Sequence, residues 1–268
     1  MTAIFLASKI KVMEKESALR QEIVEVGRRL WQKGFVAAND GNITCRLDDD
    51  FVLTTPTGVS KGFMTPDMIV KVDMDGNATE GYLKPSSEIF VHLMIYKERP
   101  DVKSVLHAHP PFATAFAVAG ISLEHPILPE AILHLDGVPL SPYGTPGTPE
   151  LVEAIRPYIR NRNAVLLENH GAFTVGDTPL HAYYRMETLE HFAKISLLAR
   201  LLGRERVLTQ EEVYRLLQSR NRAPLNQICE GCALRALGEN GLEGLVDRIT
   251  RRIMEELSRD GSIGSDRG

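Results

Sequence analysis

The chain has 268 residues, of which 43% are apolar and 25% are charged, and its formal net charge is −4. These values are ordinary for a globular protein, and the mild negative charge argues against non-specific binding to nucleic acid. No apolar run approaches the roughly 20 residues of a membrane span, and the N-terminus lacks a signal-peptide layout. Because three cysteines are too few for a disulfide framework, we expect a cytoplasmic protein.

The first part of the chain is predicted to mix helices with short strands. Apolar residues recur at helical spacing up to Lys33, and Gly34 ends this helix. Pro85-Ser-Ser-Glu88 opens a later helix, with a serine available as its N-cap. The predicted elements are, in order, a helix at 14–33, strands around Thr44 and Val52, a strand at 70–74 and a helix at 85–99.

The rest of the chain continues the mixture. Pro149 stands at the first position of one predicted helix, and Thr209 with Glu212 forms a capping box for another. Strands mixed with helices favour a layered α/β or α+β domain, which we expect over residues 1–222, with a linker and helical extension over 223–268. The predicted elements are a strand ending at His109, helices at 111–119 and 149–160, strands at 138–140, 164–167 and 172–175, and helices at 180–202, 209–220 and 242–257.

Two histidines stand two residues apart at the end of a predicted strand, in the sequence Val105-Leu-His-Ala-His-Pro110. Side chains two apart on a strand point the same way, so His107 and His109 can converge on one cation. His170 follows Asn169 in a turn between two predicted strands and adds a third imidazole. Three neutral imidazoles that leave one coordination position open describe a catalytic zinc site rather than a structural one.

Glu88 is the candidate general base, because it opens a helix, where local geometry is rigid and an anion is favoured. The alternative is a carboxylate that only complements the helix dipole. His92 lies four residues later on the same helix face and could pair with Glu88. A surface or packing role is the simpler interpretation for His92 and for His125, His134, His181 and His191.

Three short polar clusters are candidates for binding a phosphate group. Glycines let backbone N–H groups approach an anion, hydroxyls add donors, and one pair of serines lies at a helix N-terminus. Each cluster alone is also typical of turns and helix caps. No P-loop or Rossmann glycine pattern is present. The clusters comprise Gly41, Asn42, Thr57, Gly58, Ser86 and Ser87.

Five motifs follow one another within residues 14–220, and together they resemble a known family. They are Gly41-Asn-Ile-Thr44, Thr55-Pro-Thr-Gly58, Pro85-Ser-Ser-Glu88, His107-Ala-His109 and Asn169-His-Gly171. In this order and spacing they resemble the class II aldolase/adducin family, and especially its L-fuculose-phosphate aldolase-like members. The resemblance implies an α/β/α layered fold, with a central, largely antiparallel sheet flanked by helices. It also implies a homotetramer with active sites between subunits.

The resemblance further implies a chemistry. Zinc would be held by His107, His109 and His170, with Glu88 approaching the metal and acting as acid/base. The substrate phosphate would sit among the six residues of the polar clusters. The implied reaction is retro-aldol cleavage of a ketose 1-phosphate through an enediolate that zinc stabilises, giving dihydroxyacetone phosphate and an aldehyde.

Retro-aldol cleavage needs a second acid/base at the aldehyde-end hydroxyl. Family members often use a tyrosine from a neighbouring subunit, and no motif places that tyrosine here. Tyr143 and Glu130 are the candidates. Related dehydratases use a catalytic glutamate in the loop that reads Leu128-Pro-Glu-Ala131, although a surface carboxylate is the simpler interpretation of Glu130.

Other activities of the superfamily stay open. A sugar-phosphate 4-epimerase uses the same zinc site, but epimerases tend to carry Asp at the position of Glu88. A decarboxylase or dehydratase acting on a sugar phosphate is a second alternative. A non-catalytic, adducin-like scaffold is a third, and such domains lose the metal histidines that this chain retains.

The predicted helix at 242–257 carries an apolar stripe, with charged residues on the opposite face. It either packs on its own tetramer or docks into a partner's groove. A Gly-rich linker before a short amphipathic helix resembles the encapsulation peptides of bacterial microcompartment cargo enzymes, which would make the partner a microcompartment shell. Cys229 and Cys232 have the spacing of half a zinc site, but nothing nearby completes it.

Overall fold

The structure is a computed structural model that describes the backbone of residues 2–219 and the side chains of residues 13–218. Residues 1–206 form one compact unit, and a second unit begins at Val207. The domain boundary predicted at residue 222, the Cys229/Cys232 pair and the helix predicted at 242–257 lie outside the described residues. These three stay predictions.

An eight-stranded sheet forms the centre of the first unit, in the spatial order β4-β3-β2-β1-β5-β8-β7-β6. Neighbouring strands run antiparallel except β6 and β7, so the predicted, largely antiparallel sheet is confirmed. The strands are β1 (Asn42–Arg46), β2 (Phe51–Thr54), β3 (Val70–Asp73), β4 (Ala78–Glu80), β5 (Ser104–Ala108), β6 (Leu140–Ser141), β7 (Ala164–Leu167) and β8 (Gly171–Gly176).

Helices cover both faces of this sheet, which confirms the predicted α/β/α layering. Along β5, Leu106 packs in one apolar core and Val105 in the other, because successive strand side chains point to opposite faces. The first core includes residues of α1 (Thr2–Gln32), α3 (Pro111–Val118), α4 (Pro129–His134) and α6 (Pro179–Leu201). The second includes residues of α2 (Ile89–Glu98) and α5 (Pro149–Ile159).

Several element boundaries differ from the sequence predictions. Helix α1 begins at Thr2 rather than at residue 14. Helix α2 begins at Ile89, so Glu88 rather than a serine takes the cap position, and no side chain caps the helix. The hydroxyl of Ser86 instead accepts a hydrogen bond from the Glu88 N–H at 3.3 Å. The predicted serine cap is therefore wrong, because the serines belong to the loop that approaches the helix.

Four short elements were not predicted, and one strand is displaced. Two of the four are 3₁₀ helices at Lys61–Phe63 and Pro66–Met68. The β4 strand is a three-residue, fully exposed sheet edge that gives no alternating pattern. Helix α4 has only six residues, too few for helical periodicity to show. The strand predicted at 138–140 is found at Leu140–Ser141, because Val138 forms an isolated bridge with Leu123 instead.

The second unit is described by one helix, α7 (Gln210–Ser219). The Thr209 N–H donates to Glu212 Oε2 at 2.8 Å, and the Glu212 N–H donates to Thr209 Oγ1 at 3.2 Å. This is the capping box that the sequence predicts. No helix within the described part of the chain has the length and apolar character that a bilayer crossing requires.

Candidate metal centre

The three histidines predicted to bind zinc converge at one end of the sheet. His107 lies on β5, His109 follows that strand, and His170 lies in the turn between β7 and β8, which are the next strands across the sheet. The Nε2 atom of His107 is 3.1 Å from that of His109 and 3.2 Å from that of His170. One ring nitrogen from each histidine therefore faces a common point.

This arrangement fits a bound cation. His107 Nδ1 donates to the carbonyl of Ala172 at 3.0 Å, so a neutral His107 presents a bare Nε2 to the cluster. That single lone pair cannot accept hydrogen bonds from both neighbouring imidazoles. Tetrahedral zinc with Zn–N bonds of about 2.0–2.1 Å separates its nitrogen ligands by about 3.3 Å, close to the spacing in this cluster.

The electrostatics keep His107 and His170 in the form that binds metal. Burial, reinforced by the charges of His170 and His109, lowers the pKa of His107 well below its ordinary value of 6.5. Burial also lowers the pKa of His170, although the nearby Glu88 acts in the opposite direction. Neutral imidazoles carry the lone pair that coordinates a divalent cation.

Two glycines allow the backbone to approach these ligands closely. A Cβ atom on Gly171 would lie 2.5 Å from Cδ2 of His109 and 2.6 Å from the carbonyl oxygen of Ala108. Gly41 has a φ of +73°, and its Cβ would lie 2.8 Å from the carbonyl oxygen of His107. Both positions therefore exclude a side chain for reasons of packing around the histidines.

Glu88 lies beside the cluster and faces it. Its Oε2 atom is 3.5 Å from His107 Nε2, and its Oε1 atom is 3.7 Å from His170 Nε2. The side chain makes no helix-cap hydrogen bond, so the carboxylate is turned toward the histidines rather than toward its own helix. Asn42 Nδ2 donates to Oε2 at 2.7 Å, while Oε1 is buried without a hydrogen-bond partner.

Comparison with known proteins identifies the family of this chain. Residues 21–197 match the Class II Aldolase and Adducin N-terminal domain. The chain belongs to this family. Among its relatives, a 3-oxo-tetronate 4-phosphate decarboxylase of Haemophilus influenzae is 34% identical over 202 residues, which cover 73% of this chain and 94% of that protein.

Aldolases of the family reach a similar percentage identity but over a smaller share of this chain. An L-fuculose phosphate aldolase of Methanocaldococcus jannaschii is 32% identical over 67% of this chain and 96% of its own length. The solved structure of an L-fuculose-1-phosphate aldolase from Thermus thermophilus is 33% identical, with a TM-score of 0.63, and covers 71% of this chain and 98% of that one. Percentage identity therefore does not distinguish decarboxylase from aldolase.

The class II aldolase fold brings four of the six predicted phosphate-binding residues onto two adjoining loops. The Thr57 N–H donates to the Lys84 carbonyl at 3.0 Å, and the Ser86 N–H donates to the Thr55 carbonyl at 3.2 Å. Thr57, Gly58 and Ser87 are exposed. The carboxamide of Asn42, in contrast, is buried and hydrogen-bonded through its nitrogen to Glu88 and through its oxygen to His92.

The two candidates for a second acid/base are both exposed on the described unit. Glu130 is exposed in the first turn of α4 and lines a cavity of about 530 Å³ with Phe35, Phe112 and Glu190. Tyr143 is half exposed, and its backbone N–H donates to Glu168. In the described part of the chain, no recorded contact joins either side chain to the three histidines.

Sequence reasoning missed several residues around the centre. Asp40 Oδ2 lies 3.6 Å from Nδ1 of His109 on the side away from the cluster. Lys61 is buried, and its Nζ donates hydrogen bonds to the carbonyl oxygens of Asn39 and Val59. His92 is fully buried, so it packs inside the protein rather than lying at the surface. It does not pair with Glu88 directly but is linked to it through Asn42. The sequence feature that indicated a link between the two residues was their spacing of four, which places His92 and Glu88 on one helix face.

Proposed function

We propose that this chain is a zinc-dependent lyase that cleaves a ketose 1-phosphate, such as L-fuculose 1-phosphate, to dihydroxyacetone phosphate and an aldehyde. The observation that carries this proposal is the convergence of His107, His109 and His170 on one point, with Glu88 beside it. A divalent cation held there would act as a Lewis acid and stabilise the charge that develops as the carbon–carbon bond breaks.

Glu88 supplies the proton that this cleavage requires. When the bond between C3 and C4 of the ketose breaks, its electrons remain on C3 as an enediolate, and the C4 hydroxyl proton leaves with a base. Protonated Glu88 gives its proton to C3, and the proton taken from the C4 hydroxyl returns through solvent to the Glu88 carboxylate before the next turnover; in the synthetic direction the carboxylate removes the C3 proton. The carboxylate is 8% exposed, so bulk water has little access to it.

The two adjoining loops would orient the substrate. Thr57 and Ser87 would contribute hydroxyls to a phosphate group, whereas the N–H groups of Thr57 and Ser86 already donate to carbonyls between the loops. Ser86 contributes less, because it is 8% exposed and its hydroxyl already contacts the Glu88 N–H. Phosphate binding at these loops would fix the ketose against the histidines and convert binding energy into orientation.

Decarboxylation of a 3-oxo acid 4-phosphate is a second candidate. Loss of CO₂ from C1 of such an acid leaves the same dihydroxyacetone phosphate enediolate on the remaining three carbons. This reaction needs only one proton donor, and Glu88 is the one group whose contacts suit that role in the described unit. Retro-aldol cleavage also needs a base at the C4 hydroxyl, for which Tyr143 or Glu130 of a neighbouring subunit remains our prediction.

A substrate panel distinguishes the two reactions. Zinc-loaded protein is incubated separately with L-fuculose 1-phosphate, L-ribulose 1-phosphate, L-ribulose 5-phosphate and 3-oxo-tetronate 4-phosphate, and dihydroxyacetone phosphate is measured with a coupled dehydrogenase. The co-product is then identified as an aldehyde or as CO₂. Cleavage of a ketose 1-phosphate supports the aldolase, CO₂ release alone supports the decarboxylase, and L-ribulose 5-phosphate epimerisation without cleavage would refute both.

The oligomeric state and the cellular location of the protein are also proposals. We expect a cytoplasmic homotetramer, and we expect residues 242–257 either to pack on that tetramer or to dock on a microcompartment shell. Deleting residues 239–268 and fusing the segment to a fluorescent protein separates these outcomes. Loss of the tetramer, with the fused segment diffuse in shell-producing cells, would refute docking. Retained catalysis with lost shell association would support it.

A further inference from the structure

A chain of buried polar side chains leads from Glu88 into the protein interior. Asn42 Nδ2 donates to Glu88 Oε2 at 2.7 Å, and Asn42 Oδ1 is hydrogen-bonded to His92 Nε2. His92 Nδ1 is 2.8 Å from the hydroxyl of Thr44, which in turn is 2.8 Å from the hydroxyl of Tyr96. All five residues are more than nine-tenths buried.

Two secondary-structure elements build this chain. Asn42 and Thr44 stand two apart on β1 and therefore share one face of the sheet. Glu88, His92 and Tyr96 stand four apart at the start of and along α2, so they share one face of that helix. The polar chain is thus a seam between β1 and α2, and it crosses between them at every link.

The protons of this seam can be placed one after another. Asn42 donates its amide N–H to Glu88 Oε2 and therefore faces His92 with its carbonyl oxygen. His92 Nε2 therefore carries a proton. Burial lowers the pKa of His92 to about 3, so the ring is neutral and its Nδ1 accepts from Thr44. The Thr44 hydroxyl then accepts from Tyr96.

We infer that this seam is a hydrogen-bond relay of fixed polarity that gives the two oxygens of Glu88 different tasks. Every donor points toward Oε2, which is therefore held as an acceptor. Oε1 is buried, has no hydrogen-bond partner and faces His170, so it is the oxygen that exchanges the substrate proton. This inference rests on the proposed function, in which Glu88 is the acid/base. His92 is a positioning residue that acts through Asn42.

Two substitutions of His92 test the relay. His92→Gln keeps a side-chain N–H that can donate to Asn42, whereas His92→Phe fills the same space without a donor. We expect kcat to fall about 10–100-fold in His92→Phe, as it does when a residue that orients a metal ligand is replaced. In His92→Gln we expect kcat to be close to that of the wild type. KM should be unchanged in both variants. Equal losses in the two variants would indicate packing alone and would overturn the relay, as would two fully active variants.

The tautomer of His92 tests the polarity without any substrate. Magic-angle-spinning NMR of ¹⁵N-histidine-labelled protein reports which ring nitrogen is protonated, and the His92 signals are those lost in His92→Gln. We expect a neutral ring with its proton on Nε2. A proton on Nδ1, or a charged ring at neutral pH, would overturn the inference. If the proton is on Nε2 but no substrate is cleaved, the relay stands and the proposed function fails.

Discussion

Lys61 provides a prediction whose magnitude follows from the structure. Its side chain is 1% exposed, and its Nζ donates to the carbonyl oxygens of Asn39 at 2.9 Å and Val59 at 2.8 Å. No ion pair joins it to a carboxylate in the part of the chain that the structure describes. Burial lowers the pKa of Lys61 from 10.5 to about 8, although Asp40 opposes the change. The ammonium group therefore destabilises the fold while it is charged.

The perturbation that isolates this charge is Lys61→Met. Between pH 8 and pH 10.5 the unfolded chain still binds the Lys61 proton, whereas the folded chain releases it, so stability rises with pH across this window. A pKa difference of about 2.5 corresponds to a rise of about 3 kcal/mol. The methionine variant lacks this rise. It also loses two hydrogen bonds to carbonyls, but that loss does not depend on pH.

The assay is urea unfolding of both proteins at about pH 7.5, 9 and 10.5, at one protein concentration. From pH 7.5 to pH 10.5, the free energy of unfolding of the wild type should increase by about 3 kcal/mol relative to that of Lys61→Met. Burial raises the pKa of Tyr96 and Tyr183, but both proteins contain these residues and their effects cancel. Lys97→Met, which removes an exposed lysine, is the matched control. A difference that is constant with pH would refute the reasoning.

Four further predictions concern the candidate centre. His170→Ala should lose zinc and activity but keep its circular dichroism spectrum; stoichiometric zinc after purification would contradict the assignment. Glu88→Gln should lose about 10²–10⁴ in turnover, with zinc retained, and normal turnover would reduce Glu88 to a helix-dipole carboxylate. Gly171→Ala should cost about 1–3 kcal/mol by calorimetry and weaken zinc binding, because the methyl group meets His109; a neutral change would refute that contact. Ser87→Ala should raise the inhibition constant of phosphoglycolohydroxamate, and an unchanged constant would reject its phosphate role.

Elements with strong local signals could be predicted from the sequence. Helix α5 begins at Pro149, because proline fixes the backbone of a first helical turn, and it ends one residue before the predicted end. The strand that carries His107 was also predicted, because it is a short apolar run with a buried pattern. Helix α4 and strand β4 were not, because each is too short for its residue period to repeat often enough to show in the sequence.

Some residues of the candidate site could also be predicted from the sequence, whereas others could not. Strand alternation predicts that His107 and His109 converge, a turn between two predicted strands adds His170, and a helix start adds Glu88, while the family resemblance implies that the four act together. The role of Asn42 could not be predicted, because it depends on the register that places Asn42 opposite His107 and on the packing of α2 against β1. A glycine–asparagine pair predicts a phosphate loop from sequence alone, whereas the folded chain uses the asparagine side chain to hold Glu88.

The central claim is that three imidazoles hold one catalytic cation per chain. The most direct measurement is a zinc titration of protein stripped with chelator, which follows dihydroxyacetone phosphate release from L-fuculose 1-phosphate or 3-oxo-tetronate 4-phosphate. The account predicts no activity without metal and a linear rise that ends at one zinc per chain. Activity that persists in the stripped protein, or that is indifferent to added zinc or another divalent cation, would contradict it.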